Sequence, residues 1–566
     1  MHLLEIKDLS FTYQNSSSPA VKKINFSVKE NEFIILMGKS GAGKSTLAKC
    51  LTSIIPQFQK GNYSGKITIE NQEIKNVPVY EIAQKIGLLL QDFEVQLFST
   101  NVILEIAFGL ENFSLARAEM EKRISETLKT VGLENYLNRD PLTLSGGEKQ
   151  RLALASILAL KPKILILDEP TTDLDPIGKK EIFALLKNLT KQGLTIIVID
   201  HETDEILNAD QIIIFNASEI VSSGNVEQLI SQSEFLEKNG IRPAAILTLF
   251  QKLNLLTQKN IPKTVNDACH LLVENSYQTS EEKYTLLTKE EKKEKNLLFQ
   301  IKNLEFTYPN VPAGQILKGL NFEIYAGEFL AIVGVNGSGK TTFIKHLNRL
   351  FTPTKGEIIY QNKNLKNYKI AELAKDIGYV FQNPDNQIFA TTVKEEIVFG
   401  LKNLSFPHEE IEKGVKEVLK TVNLEGCKDK DPFILTKGEK QRLSVASVLV
   451  TQPKIIILDE PTTGLDYLEL RSLMNLLKEL NQKGHTIIMV THTMWLVAEY
   501  AKRAIVLKEG EIVFNGSVRQ LFSEKNIENW GLALPPLIEL SQMFGKTLLS
   551  VDEFLFCLNK STDPTV

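Results

Sequence analysis

Two octets in this chain place glycines, a lysine and a hydroxyl at the spacing of a phosphate cradle. They are Gly38-Lys39-Ser40-Gly41-Ala42-Gly43-Lys44-Ser45 and Gly334-Val335-Asn336-Gly337-Ser338-Gly339-Lys340-Thr341. Glycines let backbone N–H groups turn inward around phosphate oxygens with no Cβ in the way, and a following helix N-terminus adds partial positive charge. Lys44 and Lys340 are expected to reach the β- and γ-phosphates of ATP. Ser45 and Thr341 are expected to hold Mg2+, with Ser40, Asn336, Thr46 and Thr342 beside them on the loops. A second pair of acidic elements follows: Asp168-Glu169 and Asp459-Glu460, each after an apolar run. The aspartates are placed to organise Mg2+, and the glutamates to polarise an attacking water.

The elements that must carry these groups are short apolar strands alternating with helical stretches. Phe33–Met37, Ile164–Leu167 and Thr195–Ile199 return as Phe329–Val333, Ile455–Leu458 and Thr486–Val490. Continuous apolar runs of this length suit parallel strands buried on both faces, an α/β architecture. The repeat is long: Phe11-Thr12-Tyr13 recurs as Phe306-Thr307-Tyr308, and Asp168 recurs 291 residues later as Asp459. At the glycine loops the offset is 296, so the first half carries five extra residues near Gln57–Tyr63, expected as a longer loop. The expected organisation is a first domain over 1–240 with an extension over 241–274, a solvated linker over 275–296, a second domain over 297–530 and its extension over 531–566.

Composition excludes several classes. With 24% charged and 43% hydrophobic residues and a net charge of −4, the chain reads as ordinary globular protein with no global attraction to nucleic acid. The four cysteines, Cys50, Cys269, Cys427 and Cys557, form no CxxC pair, so a disulfide framework or cysteine metal site is not expected. The opening Met1–Asp8 has no charged stretch followed by an apolar core, and no uncharged apolar run reaches the ~18 residues a bilayer span needs.

Leu144-Ser145-Gly146-Gly147-Glu148-Lys149-Gln150-Arg151, just before the first acidic strand, resembles the signature of ATP-binding-cassette (ABC) ATPases. The resemblance covers nearly the whole chain. It implies two P-loop NTPase domains in tandem, each with an antiparallel β subdomain, a helical subdomain and a C-terminal extension. It further implies head-to-tail pairing, so that ATP on one domain's loop is completed by the other's signature. On this resemblance Tyr13 and Tyr308 stack on adenine, though either alone would suit a core. Gln91 and Gln382 match the glutamine that reports on Mg2+ and water and touches a membrane partner. Asp175 and Asp466 match the D-loop, and His201 and His492 the switch histidine at the γ-phosphate.

The second signature departs from the pattern: Thr436-Lys437-Gly438 stands where the first has Ser145-Gly146-Gly147. The lysine either turns to solvent or reaches phosphate with its own ammonium. The expectation is two unequal ATP sites. The site of Lys340, Gln382, Glu460 and His492, completed by Ser145-Gly146-Gly147, is the faster; the site of Lys44, Gln91, Glu169 and His201 is the slower.

Phe381-Gln382-Asn383-Pro384-Asp385-Asn386-Gln387 and the tail Leu534-Pro535-Pro536-Leu537 resemble energy-coupling-factor (ECF) and cobalt-type importer ATPases. That implies a motor at the cytoplasmic face of the membrane, held by a T component near Gln91 and Gln382, with a separate S component binding a vitamin, thiamine precursor or metal ion. A rival reading is a soluble tandem ABC protein acting on ribosomes or nucleic acid. It is disfavoured by the short charged run at 290–295.

Overall fold

The computed structural model describes residues 2–14, 16–172, 174–200, 209–257, 260–289, 296–309, 314–462 and 464–560. His201 lies outside them. The chain divides into two compact units, residues 1–244 and 245–566.

In the first unit the apolar-rich segments Phe33–Gly38, Ile164–Asp168 and Thr195–Ile199 are strands buried at every residue. They lie in a six-stranded sheet ordered Glu219–Gly224, Gln211–Asn216, Phe33–Gly38, Thr195–Ile199, Ile164–Asp168, Ile86–Leu89. Every neighbouring pair is parallel except the antiparallel edge formed by Glu219–Gly224. Runs such as Ile-Leu-Ile-Leu can be accommodated only where both sheet faces are covered, which is why these segments take the centre.

The second unit repeats the order with Glu511–Ser517, Arg503–Lys508, Phe329–Val333, Thr486–Val490, Ile455–Asp459 and Ile377–Val380. Each unit adds a four-stranded antiparallel sheet, led by His2–Tyr13 and by Leu297–Phe306. Each also has a helical subdomain with its own core. In the first, Val102, Ile106, Leu128 and Leu152 pack together from helices Val102–Asn112, Arg117–Val131 and Gly146–Leu158. In the second, Val393, Ile397, Leu419 and Leu443 do the same from Val393–Asn403, His408–Thr421 and Lys437–Leu449.

Two sequence expectations change. The five extra residues do more than lengthen a loop. Gly65 and Gly356 lie against the backbone of Asp8 and Asn303 at the same place in the two antiparallel sheets, so the excess falls before the strand Gly61–Ile69, where Ile54–Gln57 forms a short helix.

The stretch 275–296 is not simply a solvated linker. Tyr277–Thr279 pairs antiparallel with Leu558–Lys560, and Glu281–Thr288 is a helix. Moreover 245–274 clusters with the second unit rather than with the half it follows. Leu249, Phe250 and Leu272 share one core with Leu537, Leu540 and Phe554. The polar composition of 275–296 concealed this, because a three-residue strand and a short helix need few apolar anchors.

Candidate active site

Each phosphate loop leaves the carboxyl end of a central strand and ends at the first turn of a helix, Lys44–Leu51 or Lys340–Leu347. The strand-to-loop junction requires glycine. Gly38 has φ +136°, and a Cβ there would sit 2.0 Å from the Phe215 carbonyl oxygen; Gly334, at φ +151°, would meet that of Leu507 at 2.1 Å. No side chain fits against a neighbouring strand at that distance. Lys44 Nζ donates to the carbonyls of Gly38 and Lys39, both at 2.8 Å; Lys340 Nζ donates to those of Gly334 (2.9 Å) and Val335 (3.0 Å). The ammonium is thus held over the loop in both halves. Tyr13 and Tyr308 hydroxyls pair with the Oγ1 of Thr46 and Thr342, each at 3.1 Å, tying the expected base-stacking ring to the phosphate helix.

The acidic elements come to the same place. Asp168 and Asp459 are the last residues of their strands and are buried. Ser45 is hydrogen-bonded to Asp168, and Thr341 Oγ1 donates to Asp459 Oδ1 at 3.0 Å. Burial pushes the Asp168 carboxyl up to about 6, against the pull of Ser45. Burial also raises Asp459, opposed by hydrogen bonds from Thr341 and Tyr379. Burial and the neighbouring Asp459 raise the Tyr379 hydroxyl, so it stays protonated and donates.

The glutamates Glu169 and Glu460 sit at φ 50° and 46°, a left-handed backbone that a non-glycine residue adopts at a cost of about 1 kcal/mol or more. Their N–H groups bond the carbonyls of Ile199 (2.9 Å) and Val490 (3.0 Å) across the sheet end, which holds the strained turn in both halves.

Around the glutamates the halves differ. Gln91 Nε2 donates to Glu169 Oε2 at 2.5 Å, and Thr172 Oγ1 donates to the same oxygen at 3.2 Å. Gln382 is exposed, and Glu460 instead meets His492 Nδ1 at 3.1 Å, both side chains nearly fully buried. Burial alone would push the Glu460 carboxyl up, yet His492 and Lys340 hold it below the usual carboxylate range. Beside the histidine position the first half has buried Asp200, accepting from Thr171 Oγ1 at 2.7 Å; the second has Thr491.

The signatures open helices. Ser145 caps Gly146–Leu158 in a reciprocal box with Glu148, and Thr436 caps Lys437–Leu449 with Glu439. Gly146 is exposed and Gly147 half-buried, so the first helix start is accessible to an anion. In the second, Gly438 is buried and Lys437 half-buried. The Lys437 stem lies over Gly464: a Cβ on Gly464 would be 2.6 Å from Lys437 Cγ. The lysine is therefore laid along its own D-loop, a placement neither of the two sequence expectations contained. Asp175 and Asp466 cap the helices Pro176–Lys191 and Tyr467–Gln482. The signal missed in sequence was the pairing of Lys437 with a glycine at 464, where the first half has Asp173.

A hydroxyl and a carboxylate are hard oxygen donors, which suits Mg2+. Among the described residues no group of three or more His, Cys, Asp or Glu could hold a metal by itself. A hydroxyl–carboxylate pair suits an ion held by one or two protein oxygens together with nucleotide phosphates. Among the described residues no helix is long and apolar enough to cross a membrane.

Comparison with known proteins gives these sites a family. The model of the family described as ABC transporter matches residues 21–172 and 317–463, one stretch in each half. A protein of Caldanaerobacter subterraneus subsp. tengcongensis named "Putative ABC transporter ATP-binding protein" is 47% identical over 98% of both chains. One of the same description from Methanosarcina mazei is 37% identical over 94% of this chain and 92% of its own. A solved structure of cbiO1 from Clostridium perfringens, described as part of the ABC transporter complex cbiONQ, shares 37% identity; it covers 44% of this chain and 99% of its own, with a TM-score of 0.38. Matched in both halves by the family's model and along almost all its length by these relatives, the chain belongs to the ABC transporter family, as an ATP-binding protein with two ABC ATPase domains.

Proposed function

We propose that this ATPase is the motor subunit of a membrane importer, working from the cytoplasmic face on two composite ATP sites formed by head-to-tail pairing of its domains. In each site Lys44 or Lys340 and the loop N–H groups hold the phosphates, and Tyr13 or Tyr308 stacks on the base. Ser45 with Asp168, or Thr341 with Asp459, holds Mg2+, with Gln91 or Gln382 reaching it. The ion, when bound, neutralises charge developing on the phosphates. Glu169 and Glu460 polarise the attacking water, and His492 and His201 sense the γ-phosphate. Ser145-Gly146-Gly147 and Thr436-Lys437-Gly438 close the opposite site each. ATP favours the closed pair because its phosphates bridge both domains; hydrolysis removes the bridge and the pair reopens.

The observation that carries the membrane reading is a surface present twice. Beyond Gln91, Phe98 and Phe108 meet edge-to-face at 4.7 Å; beyond Gln382, Phe389 and Phe399 do so at 4.6 Å. Each ring is left between 48% and 63% exposed. Two apolar rings exposed at the same place in both halves are costly in water unless covered in use, and aromatic pairs are favoured anchors for a partner. We assign them to a helix of the membrane T component. The S component and its cargo, a vitamin, a thiamine precursor or a metal ion, contact that component rather than this chain. The test is co-purification from membranes. Replacing Phe98 and Phe389 together by alanine should release the chain from the membrane fraction while ATP binding persists. Unchanged membrane association, or recovery with ribosomes, would sink the reading.

A further inference from the structure

Among the described residues, Asp459 receives a second donor that its counterpart lacks. The Tyr379 hydroxyl donates to Asp459 Oδ2 at 3.0 Å, while Thr341 Oγ1 donates to Oδ1 at 3.0 Å, so each carboxylate oxygen has its own fixed donor. Tyr379 stands on Ile377–Val380, the strand that leads directly to Gln382, and pairs in parallel register with Ile457. Phe381 braces it edge-to-face at 4.8 Å. In the first half the same register position, opposite Ile166, is Leu88, and the place of Phe381 is taken by Leu90. Asp168 keeps its hydrogen bond with Ser45, but its buried Oδ1 has no hydrogen-bond partner among the described residues. Neither tyrosine nor leucine belongs to the motifs from which the two sites were read, and the difference emerges only once the strands are aligned side by side.

We propose that Tyr379 is a positioning residue that pre-orients the Asp459 carboxylate for its divalent ion, making the metal site of the second half pre-formed and that of the first half looser. This rests on the reading that Asp168 and Asp459 organise Mg2+. A buried carboxylate held at both oxygens loses little freedom when an ion binds, and partners of this kind typically carry 10- to 100-fold in metal affinity. Leu88 offers nothing equivalent, so one oxygen of Asp168 is left for the ion itself to order.

The test uses the full-length chain with a non-hydrolysable ATP analogue and Mn2+ titrated by electron paramagnetic resonance. Two unequal Mn2+ sites are expected. Tyr379→Phe should weaken the tighter one about ten-fold, with analogue affinity in the presence of EDTA unchanged. Leu88→Tyr should tighten the weaker one several-fold. Wild-type Mn2+ affinities in Tyr379→Phe, or an equal loss of metal-free analogue binding, would overturn the proposal. If Tyr379→Phe does not fold, failure of Leu88→Tyr to tighten the weaker site overturns it instead. Asp459→Asn separates the two claims. If both Mn2+ sites survive it unchanged, the metal reading itself falls. If one site is lost but Tyr379→Phe leaves that site intact, only the positioning role falls.

Discussion

At the scale of single residues, the Asp168 carboxyl proposed to organise Mg2+ carries a stability penalty. Asp168 has its carboxyl raised from 3.8 to about 6 by burial, so the folded state binds its proton more tightly than the unfolded state. The sign follows: the residue's contribution is neutral below about pH 4 and becomes unfavourable as pH rises through about 6. Asp168→Asn is therefore expected to stabilise the metal-free protein at pH 7, by roughly 1–3 kcal/mol, with the gain vanishing near pH 4. Thermal melts in EDTA at both pH values would show it, and an unchanged or lowered melting point at pH 7 would contradict it.

The glutamates give a second prediction at this scale. Glu460 is paired with His492, while Glu169 is held by Gln91 and Thr172. Removing a general base typically costs 10²- to 10⁴-fold at its own site. If the sites are unequal as proposed, Glu460→Gln should abolish most steady-state ATPase activity and Glu169→Gln should spare roughly half or more. Equal losses would end the asymmetry in this form.

At the scale of elements, the second signature helix and its D-loop act as one packed piece. Lys437 fills the space that a side chain at 464 would need, and Gly464 is in the left-handed region at φ +78°. Gly464→Ala meets both a backbone penalty and the lysine stem. A loss of about 1 kcal/mol or more is expected, part of it recovered when Lys437 is also shortened to alanine. A double-mutant cycle should give a coupling near 0.5–1 kcal/mol; additive effects would mean that the lysine simply moves aside. The reciprocal caps at Ser145 and Thr436 keep both helix starts in the same frame, so the halves differ by side chains on a common backbone.

At the scale of the whole chain, the segment 245–288 follows the first ATPase domain in sequence but is packed into the second unit. Its core is shared with 537–558, its strand Tyr277–Thr279 pairs with Leu558–Lys560, and Lys252 meets Asp552 at 2.9 Å. This packing predicts that fragments 1–289 and 296–566, produced together, co-purify without a covalent link. Ending the second fragment before Pro535 should separate them. Fragments that stay together after that truncation would show that the shared C-terminal core does not hold them.

The sequence by itself determined the α/β repeat, the two phosphate loops and the two Asp-Glu pairs. These are local: a buried central strand needs an unbroken apolar run, and a phosphate loop needs its glycines at fixed spacing within eight residues. The chain's linear order could not show what depends on residues brought together from far apart. Tyr379 reaches Asp459 because two parallel strands pair side by side; Lys437 reaches Gly464 because a helix start packs on a loop; and 275–288 is ordered because its partner strand lies some 280 residues away. Such contacts leave no periodicity in the sequence, since a single hydroxyl, a missing side chain or a three-residue strand becomes specific only once the fold has chosen its neighbours.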